Sequence, residues 1–451
     1  MRERLIHAGV SVDRANWMLA RSRQGAVISF QPTTPVTAIQ AWLGDRLWWW
    51  PTGIPNARCL GVISSHLGKS LEQRREWFDA LRTLALRCDS STVLVSVPQT
   101  TTCSFVDRAA ELFGLDRLRV EIGKQESIQE WARQLPEQTS GSPQLWISPQ
   151  LDDAAECDAV KGMPLQDRVA MALSDELRVL YIRAKGRLDS LLRTRLADAA
   201  WLPQSVRIAC GDGLVEGPQV DDFQQLGAIL WYLHRSDQEI SGETEDPPEH
   251  EVPILKSSDV DAWNYLTHCT RGRQGPWPKQ TEEDYLDDLL LDRAGADHSC
   301  LAALCRILNQ QRLVASNAAI RGGYETVSFT EANPEELLRL RSYKKHRGRW
   351  DFEPYGIAIR IDRLREMGIQ SVQYGSESDW DNLPNERRPY FQLNREVEGF
   401  DWSIEREWRC VGDVDLSQLG EADAMVLVPT HAEAFAIGRV SRWPILVLES
   451  S

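Results

Sequence analysis

The feature that constrains this chain most is the regular alternation of short apolar runs and amphipathic segments across residues 57–235. The runs 59–65 (CLGVISS) and 92–97 (TVLVSV) have the apolar composition of strands buried on both faces of a parallel sheet. Between and after them, residues 70–88 and 103–113 repeat apolar side chains at helical spacing. This alternation predicts right-handed crossovers and a parallel sheet covered by helices. The same pattern continues with a strand at 145–148, a helix at 164–176, a strand at 177–182, a helix at 188–197 and a strand at 205–209.

The chain has 451 residues, which is more than one hydrophobic core usually supports. Residues 227–235 (GAILWYLHR) are interpreted as a closing helix, and residues 236–258 are acidic and read as a linker, with a long surface loop as the alternative. Strand patterns dominate afterwards. We therefore predict a Rossmann-like domain (1–235, core 57–235), an acidic linker (236–258), and an α+β domain (259–451) with a split, mostly antiparallel sheet.

Composition limits the classes of partner. The net charge of -15 disfavours nonspecific binding to phosphate backbones or anionic membranes, so any nucleic-acid contact must be local. Nine scattered cysteines include no CxxC pair, which indicates reduced thiols and no structural metal site. No apolar run approaches the roughly 20 residues that span a bilayer. The sequence therefore predicts a cytoplasmic protein without a metal, and leaves assembly with a second copy open.

Ligands of parallel α/β sheets bind beyond the carboxyl ends of the strands, where loop amides and helix N-termini face anions. Here those loops are 64–68, 99–102 and 184–188. Neither a GxGxxG fingerprint nor a Walker lysine loop is present, which argues against an ordinary dehydrogenase or P-loop enzyme. The candidate nucleotide-binding residues in these loops are Ser64, Ser65, Gly68, Thr100, Thr101, Thr102 and Gly186.

The order of VISSHLG, SVPQTTTCSF, QDRVAMALSD and AKGRLDSLL resembles the SLOG superfamily, the Rossmann-like group that includes DprA and the LOG-type nucleotide hydrolases. The resemblance covers roughly residues 57–235. It implies a nucleotide or nucleotide-derived ligand. Because the PGGxGT-type loop of the LOG hydrolases is missing, it implies binding rather than hydrolysis. An inert scaffold domain is the alternative.

The C-terminal half contains SFTE (328–331), EPYGI (353–357) and EREWR (405–409). These motifs resemble an uncharacterised bacterial family found in abortive-infection and antiphage defence settings, over about residues 263–435. More distantly, the half resembles the ADP-ribosyltransferase fold. That resemblance implies NAD as cofactor, with site residues at His268 or Arg271, at Ser328 with Thr330, and at Glu405 with Glu407.

Those residue types suit the cleavage of NAD, because breaking the nicotinamide–ribose bond builds positive charge that a carboxylate stabilises. Glu407 is the first choice for that carboxylate. If Glu405 and Glu407 lie on one strand, they face the same side, so that one could bind ribose while the other activates the acceptor. The alternative is that Glu405, Arg406, Glu407 and Arg409 form cross-strand ion pairs on a solvated face.

Residues 339–350 (RLRSYKKHRGRW) concentrate six Lys and Arg with two aromatic residues and no acid. This pattern predicts a local nucleic-acid contact or a grip on the pyrophosphate of NAD, with a solvated helix face as the alternative. Two functions result: a defence-type effector whose nucleotide-sensing half controls an NAD-consuming half, or a non-catalytic nucleotide-binding regulatory protein. A nuclease using His268 and His346 ranks last, because no acidic metal-binding cluster accompanies them.

Overall fold

The computed structural model describes residues 1–33, 35–137, 141–151, 160–233, 252–256, 259–260, 262–317, 320–344, 349–394 and 402–448. The chain divides into two compact units. Unit 1 comprises Met1–Gln238 and Thr281–Ala296, and unit 2 comprises Glu239–Gln280 and Asp297–Ser451.

Unit 1 is built on a nine-stranded sheet with the order β1-β2-β6-β5-β4-β3-β7-β8-β9. Strands β3 to β9 run parallel to one another, and β1 and β2 add an antiparallel pair at one edge, where β2 pairs antiparallel with β6. The strands are β1 (Val27–Ser29), β2 (Trp48–Trp50), β3 (Arg58–Ser64), β4 (Thr92–Ser96), β5 (Arg117–Ile122), β6 (Gln144–Ile147), β7 (Glu176–Tyr181), β8 (Val206–Cys210) and β9 (Ile229–Tyr232).

Helices cover both faces of this sheet. Helices α4, α5 and α10 pack on one face, and α3, α7, α8 and α9 contribute to the core on the other. The helices are α1 (Arg2–His7), α2 (Val12–Ser22), α3 (Val36–Leu43), α4 (Arg75–Arg87), α5 (Cys103–Phe113), α6 (Ile128–Gln134), α7 (Leu165–Ala172), α8 (Arg187–Ala197), α9 (Pro218–Gln225) and α10 (Glu282–Leu291).

Side-chain alternation along the strands supplies the two cores. In β4, Val93 and Val95 point to one core and Leu94 to the other, and all three are buried. Gly61 in β3 has a packing reason, because a Cβ there would lie 2.3 Å from the Ser174 hydroxyl oxygen. The region after α7 can therefore approach the middle of β3 closely.

Helix α10 belongs to unit 1, although the sequence placed it within the predicted C-terminal domain. Its apolar face, with Tyr285 and Leu290, is buried against α4 and α5. The Tyr285 hydroxyl donates to the Glu72 carboxylate at 2.7 Å, and Arg108 donates to both oxygens of Asp287 at 2.5 and 2.7 Å. Apolar burial and these bonds explain why the segment packs apart from its chain neighbours in unit 2.

Unit 2 is an α+β structure around an eight-stranded sheet, ordered β10-β23-β22-β16-β11-β13-β20-β17. Most neighbours are antiparallel, and the pairs of β23 with β10 and β22 are parallel. Three two-stranded sheets, β12-β21, β14-β15 and β18-β19, accompany it. The strands are β10 (Ile254–Lys256), β11 (Tyr265–Cys269), β12 (Arg312–Leu313), β13 (Thr326–Thr330), β14 (Ser342–Lys344), β15 (Arg349–Asp351), β16 (Gly356–Arg360), β17 (Gln370–Ser371), β18 (Gln373–Gly375), β19 (Phe391–Leu393), β20 (Glu407–Val411), β21 (Val414–Asp415), β22 (Ala424–Val428) and β23 (Ile445–Val447); the helices are α11 (Cys300–Gln310), α12 (Pro334–Leu340), α13 (Ile361–Glu366), α14 (Glu377–Asn382) and α15 (His431–Gly438).

The predicted fold class is confirmed: a Rossmann-like parallel sheet is followed by an α+β unit with a mostly antiparallel sheet. The helix predicted over 227–235 is wrong for its described part, because Ile229–Tyr232 pair parallel with β8 and extend the sheet. The region predicted as a linker (236–258) lies outside the described residues, apart from 252–256.

Candidate functional site

The unit 1 sheet reverses its strand order between β3 and β7, and we call the carboxyl ends of these two strands, with the loops that follow them, the crevice. Strands β4, β5 and β6 follow on one side of β3, and β8 and β9 follow on the other side of β7. Backbone bonds join the two exits: the Ser65 amide donates to the Tyr181 carbonyl at 2.7 Å. In addition, the Arg183 amide donates to the Ser65 hydroxyl at 3.0 Å. Such reversal points are where doubly wound α/β sheets bind their ligands.

Most of the hydroxyl groups predicted to bind a nucleotide hold this crevice together. The buried Ser64 hydroxyl accepts from the Trp77 indole at 3.0 Å and donates to the Ser65 carbonyl at 2.9 Å. The buried Thr102 hydroxyl donates to the Val62 carbonyl at 2.8 Å, although Thr102 occupies the N-cap position of α5. The interior bonds of Ser64 and Thr102 leave those side chains shaping the crevice walls.

The other predicted residues of unit 1 lie on the loops at the same edge of the sheet. The Thr100 hydroxyl donates to the Val97 carbonyl at 2.8 Å, and Thr101 is half-buried beside it. Gly68 is exposed with φ +94°, in the left-handed region that favours glycine. Gly186 is the N-cap of α8, and a Cβ there would lie 3.0 Å from the Arg183 carbonyl oxygen. The two glycines thus permit the turns that frame the crevice.

Positive charge is concentrated at the exit of β7. Arg183, Lys185 and Arg187 are all exposed, and among the described residues none of them forms an ion pair. Across the crevice, Lys69 is exposed and Arg74 lies over the Tyr181 ring at 5.3 Å, again without an acidic partner in the described part of the chain. The sequence RAKGR (183–187) contains these cations, but the sequence-based prediction named only its glycine, Gly186.

The N-terminus of α8 adds to this positive field. Its first-turn amides carry the positive end of the helix dipole, and no side chain caps them through the N-cap residue. The Asp189 carboxylate accepts from the Lys185 amide at 2.8 Å and from the Arg193 side chain at 3.0 Å, so it fixes the loop in place. Lys185 has φ +60°, a conformation that this bond helps to hold.

Carboxylates lie in the first turn of α7 and on the loop that follows β8. Asp167 lies in the first turn of α7, which follows the carboxyl end of β6, and burial raises its pKa to about 6. Asp212 and Glu216 lie on the loop after β8, where Glu216 accepts from the Gly213 amide at 2.6 Å. A ligand that carries both phosphate and hydroxyl groups suits this mixture of cations and carboxylates.

In unit 2, strand register decides which of the predicted catalytic residues share a face. Thr330 lies opposite Glu407 and Ser328 opposite Arg409, so these four side chains share one face of the sheet. Thr267 lies opposite Thr330, which places the next residue, His268, on the other face. Consistently, the His268 ring packs 5.8 Å from the Phe329 ring. The structure therefore brings Ser328, Thr330 and Glu407 together and separates His268 from them.

Glu407 is committed to an ion pair with the buried Arg409. The Arg409 Nε and one terminal nitrogen each donate to a Glu407 oxygen at 2.9 Å. The same guanidinium donates to the Pro389 and Phe391 carbonyls at 3.1 and 3.0 Å and to the Gln392 side chain at 2.8 Å. Because Arg409 is only 1% exposed, this network ties the segment around β19 to β20.

The expectation that Glu405 and Glu407 lie on one strand is wrong. Glu405 ends a short 3-10 turn (Trp402–Glu405), and strand β20 begins only at Glu407. Between them Arg406 has φ +42°, which breaks the alternation of a strand. The Glu331 amide donates to the Arg406 carbonyl at 3.2 Å, and the Arg406 side chain pairs with Glu336, so both bonds hold this conformation.

The remaining predicted residues of unit 2 do not complete an NAD site. The Thr330 hydroxyl donates to the Glu405 carbonyl at 2.6 Å and accepts from the Ala332 amide at 3.1 Å. His268 Nδ1 lies 2.9 Å from the Ser328 carbonyl oxygen, and burial lowers the pKa of this imidazole. Since Glu407, Thr330 and His268 are engaged within the protein, they do not fit NAD as they stand, and no cleavage step follows from them. Binding of NAD stays a prediction.

The basic segment 339–350 is not one helix face. Its described part comprises the end of α12 and the hairpin β14–β15, while residues 345–348, including His346, lie outside the described residues. Tyr343 and Trp350 lie opposite each other in this hairpin and are 50% and 40% exposed. An exposed aromatic pair is a surface on which nucleic-acid bases can stack.

The described residues also bear on metal sites, reactive cysteines and membrane-spanning helices. Within them, no group of three or more His, Cys, Asp or Glu side chains is arranged to hold a metal ion. The eight cysteines that the structure describes are free, and burial raises the pKa of Cys269 to about 12. No helix in the described ranges is long and apolar enough to cross a membrane.

Comparison with known proteins finds similarity to solved structures. No family model matches the sequence, and no curated protein matches it. The X-ray structure of DNA processing protein A (DprA) from Streptococcus pneumoniae is similar with a TM-score of 0.27 and 15% identity. The similarity covers 41% of this chain, and it spans only 62% of the DprA chain.

Proposed function

We propose that this chain is a nucleotide-binding regulatory protein whose ligand binds at the carboxyl edge of the unit 1 sheet. The observation that carries the proposal is the set of exposed cations after β7, Arg183, Lys185 and Arg187, which have no ion pair among the described residues. They stand at the reversal of strand order and beside the N-terminus of α8. In a protein of net charge -15, such a cluster suits phosphate groups.

The loops of the crevice are also preorganised for ligand binding. Bonds made by Ser64, Ser65 and Asp189 fix both loops before any ligand arrives, so less ordering entropy is lost on binding. Asp212 and Glu216 supply carboxylates on the loop after β8, at the same edge of the sheet. A carboxylate there can accept a hydrogen bond from a ribose hydroxyl. These features support a nucleotide over inorganic phosphate alone.

Calorimetric titration of the full chain with AMP, ADP, ATP and NAD tests this proposal. The Arg183→Ala/Lys185→Ala double variant removes two phosphate contacts, each worth about 1.5 to 3 kcal/mol. We expect its affinity to fall by more than tenfold. Arg58→Ala is the matched control, because Arg58 is equally exposed but lies at the amino end of β3 and pairs with Glu176. Absence of binding by the natural chain, or equal binding by the double variant, would contradict the proposal.

The finer expectations stay predictions: SLOG-type recognition, a role in antiphage defence, location in the cytoplasm, and an NAD-consuming unit 2. What supports the last of these is the common face of Ser328, Thr330 and Glu407. The engagement of Glu407 by Arg409 favours the regulatory alternative.

A further inference from the structure

A second positive surface lies in unit 2, on the loop that follows β11. Arg271 and Arg273 are exposed on this loop, and within the described residues neither forms an ion pair. The loop is held against the start of α11: the Gly272 amide donates to the Cys300 sulfur at 3.2 Å. A Cβ on Gly272 would lie 2.9 Å from the His298 carbonyl oxygen. The two arginines are therefore presented by a fixed backbone.

Arg306 of α11 is a third cation close to this loop. Its guanidinium lies 5.0 Å from the centroid of the Trp277 ring, which stacks on His298 at 4.4 Å. The Arg273 amide donates to the His298 carbonyl at 3.0 Å, which brings Arg273 to the same place. Burial lowers the pKa of Arg273, and the charge of Arg306 lowers it further. An anion between the two guanidinium groups would relieve this repulsion.

The exposed aromatic pair of the β14–β15 hairpin is the second feature that can contact a ligand. The Tyr343 and Trp350 rings are 5.5 Å apart, and the Arg341 guanidinium lies 4.5 Å from the Trp350 ring. Ring faces of this kind accept bases of any sequence, and arginine strengthens the stacking.

One bond joins the loop to the segment that follows the hairpin, and one ion pair joins the two segments that flank the hairpin. The Thr270 amide donates to the Tyr355 carbonyl at 2.7 Å. The Arg341 guanidinium lies 3.2 Å from the Glu353 carboxylate, which is two residues before Tyr355 in the chain. The acidic groups nearby are engaged: Glu353 with Arg341, and Asp297 with the Ser299 amide at 2.9 Å. The loop and the base of the hairpin therefore lie close together.

We propose that this surface binds single-stranded nucleic acid, with phosphates on the guanidinium groups of Arg271, Arg273 and Arg306 and bases on the exposed rings. The arginine–tryptophan surface consists of Arg271, Arg273, Arg306, Arg341, Tyr343 and Trp350. Guanidinium groups alone would suit any phosphate ligand, and the adjacent ring pair selects a ligand that also carries unstacked bases. The assignment is independent of the proposed nucleotide site, since it uses residues of unit 2 only.

Fluorescence anisotropy with labelled single-stranded DNA and RNA 20-mers tests the assignment on the full chain. We expect Arg273→Ala/Arg306→Ala to weaken binding at least tenfold and to reduce the slope of log K against log salt by about 1.4, for two lost phosphate contacts. Trp350→Ala should weaken binding about fivefold or more. A duplex of the same sequence should bind less tightly, because its bases are not free to stack.

Arg312→Ala serves as the control, because it removes an equally exposed charge that pairs with Asp413. It should leave oligonucleotide binding unchanged, and circular dichroism checks that every variant folds. No binding of either single strand by the natural chain, or binding insensitive to both sets of substitutions, would overturn the assignment. Binding of pyrophosphate without binding of oligonucleotides would overturn it as well, by showing a small-anion site.

Discussion

Two charged sites, one in each unit, use their cations in opposite ways. At the unit 1 crevice, Arg183 and Lys185 are exposed and have no ion pair among the described residues. In unit 2, Arg409 is almost fully buried, and each of its three guanidinium nitrogens donates to Glu407, Gln392 or a backbone carbonyl. A cation that the protein leaves unpaired can bind a ligand, whereas a buried and saturated cation stabilises the fold. A conspicuous motif such as EREWR (405–409) can therefore stabilise the fold and need not bind a ligand.

The largest effect should come from breaking the buried pair. Glu407→Gln leaves Arg409 buried without its counter-charge, and we expect the free energy of unfolding to fall by about 3 kcal/mol. Urea unfolding of the full chain measures this loss. The control is Glu377→Gln, because the Glu377 carboxylate pairs with Arg321 at an exposed position. That change should cost less than about 1 kcal/mol. Equal stability of the two variants would refute a structural role for Glu407.

A smaller effect of opposite sign is expected at Asp167 of unit 1. Burial raises the pKa of Asp167 to about 6, so ionisation of this carboxyl above that pH opposes folding. Asp167→Asn should therefore raise the free energy of unfolding at pH 7.5 by about 1 to 2 kcal/mol, with allowance for solvent screening.

The pH dependence of this gain follows from the direction of the shift. The folded chain binds the proton more tightly than the unfolded chain does, so its stability rises as pH falls through 6 towards the ordinary aspartate value. The advantage of Asp167→Asn should therefore shrink at pH 5. Denaturant unfolding at both pH values checks this, and an advantage that is unchanged at pH 5 would show another cause.

The smallest effect is expected for the release of nicotinamide from NAD. For the regulatory protein that we propose, neither the natural chain nor Glu407→Gln should release nicotinamide from NAD, even with a nucleotide and candidate acceptors supplied. Chromatography of the reaction mixtures measures any nicotinamide that either chain releases. Release by the natural chain that Glu407→Gln abolishes would instead support the NAD-consuming effector and would break the contrast between the two units.

Much of the fold could be predicted because buried parallel strands are short and continuously apolar, as in β3, β4 and β7. Strand β5 was missed because Arg117, Arg119 and Glu121 alternate with its buried Leu118 and Val120. The sequence GAILWY was read as helix because apolar periodicity is ambiguous over such a short run. The segment forms a strand because it pairs with β8 in the folded protein.

The candidate sites were less predictable, because the sequence does not show how hydrogen bonds are shared. Ser64 and Thr102 are small polar residues at the correct edge of the sheet, yet their hydroxyls bond within the protein. The left-handed Arg406 that separates Glu405 from strand β20 has no local sequence signal. Arg306 is close to Arg273 only because Trp277 and His298 lie between their elements.

Hydrogen–deuterium exchange with and without a saturating nucleotide tests the contrast between the units most directly, because it locates the ligand without substitutions. We predict slower exchange at residues 64–70 and 183–190, the two loops of the crevice, and no change at 405–411. Slower exchange at 405–411 with unchanged crevice loops would contradict the account, since it would place the ligand on Glu407.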